Sequence, residues 1–180
     1  CRRALESTVA LCRELGHQVE PAAPAQIDAA ALSQVFFALA GRALVGMSAM
    51  IEPLLDRRLG SGDLEPFTRE LMAAAREPAS RELDVQGMID RMARLYLASL
   101  APYDLLLTPT YATPPWELGW LSPLLPRAEL IARTERSVCY TPIQNMAGTP
   151  ALSVPLYWTA DGLPIGSHFA AAPGREDVLL

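Results

Sequence analysis

Apolar residues recur at three- and four-residue steps through most of the first 100 positions of this 180-residue chain, the spacing that gathers them on one face of an α-helix. Leu5, Val9, Cys12 and Leu15 form the first stripe, and Gly16 stands where a left-handed cap would stop the helix. His17 to Glu20 reads as a short strand, closed by the Pro/Ala-rich PAAPA, which cannot continue a ladder. From Asp28, a suitable N-cap, the pattern resumes over Leu32, Val35, Phe36, Leu39, Ala43, Leu44, Met47, Met50, Ile51, Leu54 and Leu55. This predicts one long helix or a kinked pair, with Pro53 as the kink and the GSGD of Gly60 to Asp63 as the end. A shorter helix is expected over Pro66 to Arg76. Another, capped by Ser80, carries Leu83, Met88, Met92, Leu95, Tyr96 and Leu100 on its apolar face, and these helices are expected to pair as a hairpin.

The period then changes. After Tyr103 the run DLLLTPT is continuously apolar between Pro102 and Pro109, as a strand buried on both faces would be. Its outlet, TPTYATPPWELGWLSPLLP, is rich in Pro and predicts a stiff irregular loop at the sheet edge, where α/β proteins commonly bind ligands. A short helix is expected from Arg127 to about Arg136. Ala151 to Trp158 and Ile165 to Ala171 read as strands joined through Asp161-Gly162 into an antiparallel hairpin. The fold class expected is α/β, a mixed β-sheet packed with helices, in one globular unit spanning residues 1–180.

Composition narrows the function. With 51% hydrophobic and 19% charged residues the chain can bury a substantial core. A net charge of −5 with scattered basic residues excludes an electrostatic footprint for nucleic acid. All fifteen basic residues are Arg, a usage that reads as base-composition bias rather than chemistry. Cys1, Cys12 and Cys139 make no C-x-x-C and no zinc spacing with His. The longest apolar stretch, Val35 to Ile51, is interrupted by Arg42 and sits at the lower limit for a bilayer span, so no membrane is expected as a partner. No signal-peptide pattern is visible, which favours a cytoplasmic location.

Read from the residues alone, the chain offers no active site. Ser48 lies in a helical pattern without the closing Gly of a nucleophile elbow, and Ser61 lies in a GSG turn. His17 is expected in solvent. His168, sharing a strand face with Gly166 and Ala170, is expected to be a satisfied structural histidine. No phosphate loop, dinucleotide fingerprint or carboxylate cluster with metal spacing occurs.

The run from Thr141 to Leu156, TPIQNMAGTPALSVPL, followed by the turn TADGLP of Thr159 to Pro164, resembles the C-terminal signature of the amidase-signature hydrolases, serine enzymes that cleave carboxylic amides. The segments ALESTVALCRELGHQVEPA and YDLLLTPTYATPP, and the signature through PGRED, extend the resemblance in order and spacing. ELGW after TPP and HFAA after PIG are similar to the branch containing cyclic-amide and nylon-oligomer hydrolases. Only the C-terminal half of the family is matched. The family's general-base Lys, its cis-peptide Ser and its nucleophilic Ser belong to the other half, and this chain has no Lys.

The resemblance assigns Gly148 and Pro150 to a turn before the sheet, Ser153 and Pro155 to its central strand, and Asp161, Gly162 and Pro164 to the hairpin turn. It places Tyr140, Thr141, Gln144 and Asn145, in the loop before the sheet, at the acyl pocket: an aromatic wall with amide and hydroxyl groups suited to an amide. Core packing or backbone capping is the alternative for these four. Trp116 and Trp120 would line the pocket mouth. His168 and Ala171 stand where relatives commonly have Gln and Gly. The function implied is that of the C-terminal part of an amidase acting on linear carboxylic amides, inactive by itself and needing no metal or organic cofactor. Its expected partners are a small-molecule amide and the N-terminal catalytic half of the same polypeptide, since Cys1 and Leu180 both fall inside element-like runs. The uncovered surface is expected to make the chain self-associate as a homo-oligomer. Rival readings are the amidase-like subunit of a tRNA-dependent amidotransferase and a noncatalytic binding or scaffold module.

Overall fold

The computed structural model describes residues 1–23 and 25–180, and Cα packing divides them into two compact units. The first comprises Cys1–Ile27, Asp90–Glu117 and Arg136–Leu180; the second comprises Asp28–Ile89 and Leu118–Glu135.

In the first unit, helix α1 (Arg2–Glu14) ends as its sequence dictates. Gly16 takes φ +93°, and the amides of Gly16 and His17 return to the carbonyls of Arg13 and Cys12, a Schellman closure. The buried face differs from the one expected. Ala4 and Thr8 are fully buried, whereas Leu15 is 68% exposed, because small residues let the helix lie close on a sheet. The Thr8 hydroxyl donates to Ala4 O at 3.0 Å, which leaves Ser167 Oγ to donate to Thr8 Oγ1 at 2.6 Å. No strand forms over His17–Glu20. The segment pairs with no strand among the described residues, and the Val19 carbonyl is taken by the Arg13 guanidinium at 2.7 Å. Of the PAAPA break, Pro24 lies outside the described residues.

That sheet has the order β1-β3-β2, with β1 (Leu105–Pro109), β2 (Ala151–Trp158) and β3 (Pro164–Ala171) antiparallel throughout. Helices packed with a sheet bear out the α/β class, but the described strands are antiparallel where a mixed sheet was expected. The five residues of β1, an edge strand, are half-buried rather than buried on both faces as expected. The β2–β3 hairpin closes as expected: Gly162 takes φ +79°, and the Thr159 hydroxyl accepts from Leu163 N at 3.0 Å. Ser153 and Pro155 were expected on the central strand, but among the described strands that place is taken by β3; Pro155, which cannot donate to a ladder, lies on edge strand β2 beside a bulge between Pro155 and Tyr157. Helix α5 (Val85–Leu100) buries Val85, Met92, Tyr96 and Leu100 but leaves Leu95 47% exposed.

The second unit is helical. α2 (Ala29–Leu55) starts where Asp28 Oδ1 accepts from Ala30 N at 2.9 Å. It is continuous past Pro53 and stops at Asp56, in the left-handed region at φ +51°. At 27 residues it is longer than its uninterrupted apolar stretch, and by length and composition alone it reaches what a bilayer span requires. α3 (Pro66–Arg76) packs on it through Gly41, where an added Cβ would fall 2.7 Å from the Leu71 carbonyl oxygen. Arg42 donates to Leu83 O at 3.0 Å and to Ser80 O, which ties α2 to the end of α4 (Pro78–Glu82). Ser80 is thus inside α4, which Pro78 begins; Asp84 does the capping expected of Ser80, its Oδ1 accepting from Gly87 N at 2.9 Å. Ser48 is a helix serine, bonded to Val45 O at 2.9 Å. The GSGD turn is held by Arg57 and Asp63 in a bidentate pair at 2.7 Å, which keeps the Asp63 carboxyl well below the usual carboxylate range. α6 runs from Arg127 to Ser137.

Candidate active site

Pro142 and Gly148 shape the segment that leads into the sheet. Pro142 has no amide proton to lose and occupies the first helical position of α7 (Pro142–Ala147); Gly148 ends it at φ +65°. The stretch Tyr140–Asn145, expected as a loop, is therefore irregular only as far as Thr141. Within it Gln144 is 5% exposed and its carboxamide is fully engaged. Nε2 donates to Tyr140 O at 2.8 Å and Thr141 O at 3.0 Å, and Oε1 accepts from Tyr96 Oη at 2.8 Å. Burial pushes the Tyr96 phenol above its ordinary pKa, opposed by the bond to Gln144.

The four residues singled out in the sequence thus fall into two groups. Gln144 points inward and secures the two carbonyls that precede α7, which is the backbone-capping alternative for that position. Asn145 is exposed, Tyr140 and Thr141 are half-buried, and the Thr141 hydroxyl makes no capping bond. Burial raises the Tyr140 phenol, and the neighbouring Cys139 raises it further.

The sheet adds a polar row that sequence reasoning did not assemble. In register, Thr108 faces His168 and His168 faces Ser153. Thr108 Oγ1 lies 3.1 Å from His168 Nδ1, and Thr110 Oγ1 lies 2.6 Å from Ser153 Oγ. Gly166 lets the second pair close: a Cβ there would stand 2.4 Å from Ser153 Oγ and 2.5 Å from Thr110 Oγ1. His168 is 5% exposed, and burial lowers its pKa, so the ring is held neutral. This is the satisfied structural histidine expected. The row was missed because its two hydrogen-bonded pairs, 60 and 43 residues apart, meet only through strand order. Alternation within β1 and β3 was the one signal available.

Of the outlet aromatics, Trp116 packs edge-on against Tyr111 with ring centroids 4.9 Å apart, and its buried Nε1 has no hydrogen-bond partner among the described residues. Trp120 lies in the other unit, under the Arg133 guanidinium at 4.3 Å. Among the described residues no three His, Cys, Asp or Glu side chains gather as a metal site.

The family model described as Amidase matches residues 1–180, the whole chain. The chain belongs to the amidase family. It is 36% identical over 180 residues to the putative amidase AmiC of Mycobacterium tuberculosis, covering 94% of this chain and 36% of that one. It is also 29% identical over 193 residues to the 6-aminohexanoate-cyclic-dimer hydrolase of a Pseudomonas species, covering 100% of this chain and 38% of that one. A solved structure of 6-aminohexanoate cyclic dimer hydrolase complexed with substrate superposes with a TM-score of 0.80 at 25% identity, over 98% of this chain and 38% of that one. The resemblance to amidase-signature hydrolases, and to the cyclic-amide branch, holds. This amidase chain spans little more than a third of the length of these relatives.

Proposed function

We propose that this chain is the C-terminal part of a serine amidohydrolase that hydrolyses carboxylic amides, contributing sheet core and one wall of the acyl pocket. The observation that carries the reading is the match of the whole chain to the amidase family over only 36–38% of its relatives' length, in a sequence with no Lys. The Lys, the cis-peptide Ser and the nucleophilic Ser come from the remainder of the polypeptide. In the complete enzyme the Ser oxygen adds to the amide carbon, the amine leaves with a proton, and water then cleaves the acyl ester. The part played by this chain is positional. Gln144, anchored on Tyr96, fixes the two residues before α7, so that Tyr140 presents an aromatic wall while Thr141 and Asn145 present polar groups to the amide.

The test compares the 180-residue chain with the whole polypeptide on hexanamide and on the 6-aminohexanoate cyclic dimer, the second probe chosen from the relatives' chemistry. The expected result is turnover by the whole polypeptide and none by the chain alone. Turnover by the purified chain would remove the inactivity claim, and failure of the whole polypeptide on a broad amide panel would remove the amidohydrolase reading.

A further inference from the structure

Within the first unit, the outlet of β1 is fastened to the approach to α7. The strand leaves the sheet after Thr110 N donates to Gly166 O at 3.2 Å, and two residues on the Ala112 amide donates to Ser137 O at 3.0 Å. Ser137, the last residue of α6, is 1% exposed, so the accepting end of this bond is shielded from water. Further along, Gln144 Nε2 holds the carbonyls of Tyr140 and Thr141. Val138 and Cys139 alone lie between the two fastenings. Two residues of chain leave little slack, so a displacement of Ser137 passes to Tyr140. The outlet is itself stiff. Pro114 and Pro115 fix their own φ and bias Thr113 toward extended backbone. Trp116 packs edge-on against Tyr111 at 62° between ring planes. Its Nε1 has no hydrogen-bond partner among the described residues, so packing rather than a hydrogen bond seats the ring. Tyr111 directly precedes Ala112, and the hold on its side chain sets where the Ala112 amide points.

We infer that the Tyr111–Trp116 pair is a positioning element for the proposed acyl wall. By seating the outlet it aims the Ala112 amide at Ser137, and so fixes the upstream end of the segment whose downstream end Gln144 fixes. Tyr111 is a positioning residue that acts through Ala112 and Ser137. The consequence falls on substrate choice. A wall held at both ends favours amides whose acyl chain is long and apolar enough to lie along Tyr140, and loosening it costs those amides affinity while sparing a short acyl group. The inference rests on the amidohydrolase reading above.

The test uses the whole polypeptide with hexanamide and acetamide. In Tyr111→Ala the KM for hexanamide should rise about 5-fold or more with kcat held within about 2-fold, while the KM for acetamide changes by less than about 2-fold. Tyr111→Phe, which keeps the ring contact, should match the parent, and Trp116→Leu, which removes the contact from its other side, should repeat the Tyr111→Ala pattern. In the 180-residue chain, hydrogen exchange at the Ala112 amide should speed up in Tyr111→Ala and not in Tyr111→Phe. Tyr111 is 40% exposed, so both variants should keep the far-UV circular dichroism of the parent. A parent inactive on both amides would overturn the hydrolytic reading and this inference together. A parent active on hexanamide, combined with equal KM changes for the two amides, a fall in kcat alone, or unchanged Ala112 exchange in Tyr111→Ala, would overturn the positioning inference by itself.

Discussion

At Gln144 one primary amide answers three groups that burial would otherwise leave unmatched: the Tyr96 hydroxyl and the carbonyls of Tyr140 and Thr141. Replacing it by Leu keeps the volume and removes every partner at once. Each orphaned group costs about 1–3 kcal/mol; the carbonyls of an irregular segment can turn to water, so a loss of about 3 kcal/mol is predicted for Gln144→Leu. Tyr96→Phe, which orphans only the Gln144 oxygen, should cost about 1 kcal/mol. Urea midpoints rank the two, and equal losses would mean that the network acts through packing alone. His168 gives a prediction of the opposite kind, because here burial is the whole cause. Its folded pKa lies below the ordinary value of 6.5, so the unfolded chain takes up the proton first. Stability should therefore be level above pH 6.5 and fall as the pH drops below it, by at most about 1.4 kcal/mol per pH unit for one proton. Urea titrations at pH 7.5 and 5.5 should show a larger drop for the parent than for His168→Gln; an unchanged difference would remove His168 as its source.

Between elements, two glycines set distances that no side chain would permit. In α2, Gly41→Ala should gain up to about 1 kcal/mol from helix propensity. Its Cβ, however, would meet the Leu71 backbone oxygen at 2.7 Å and Ala75 Cβ at 3.1 Å, and overpacking of that kind costs about 1–3 kcal/mol. The net change predicted is destabilising, and a raised melting temperature would show that α2 and α3 can separate without cost. Gly166→Ala meets two hydroxyls at 2.4 and 2.5 Å and should lose a similar ~1–3 kcal/mol. Adding Ser153→Ala should recover part of that loss. These examples also show where sequence patterns inform and where they fail. α3 was predicted at its observed bounds because Pro66 opens it and Pro78 follows its end, and the hairpin because Asp161-Gly162 demands a turn. Such signals are local. The α1 stripe misled because burial of Ala4 and Thr8 depends on how closely a helix can approach a sheet, which spacing does not encode. Strand pairing is equally invisible: His17–Glu20 has strand-like residues but no ladder. In the candidate site, the residue types at 140–145 were legible from the signature run. The inward direction of Gln144 was not, since its partner Tyr96 lies 48 residues away and reads in sequence as one more apolar-face residue.

For the molecule as a whole, the second half of α2 raises the question of what covers it. Met47, Met50 and Leu54 are 55%, 75% and 85% exposed, and Ile51 and Leu55 add to the same helical turns. Together they expose several hundred Å² of apolar surface, at or above the largest patch usual on a monomer. Each fully buried Leu or Met contributes about 1.5–3 kcal/mol, so covering even part of this patch exceeds the cost of associating at moderate concentration. In a chain spanning little more than a third of its relatives' length, the cover available in solution is another copy. Self-association is therefore predicted for the 180-residue protein, seen by light scattering as a mass that rises with concentration. Met50→Glu combined with Leu54→Glu should return it to a single 19.5 kDa species without changing the helix content, because neither side chain is buried in the folded chain. A parent that stays monomeric across the series would mean the exposed stripe is too weak to pair. A double variant that still associates would shift the contact to the sheet, where β1 and β2 both present unpaired edges among the described strands.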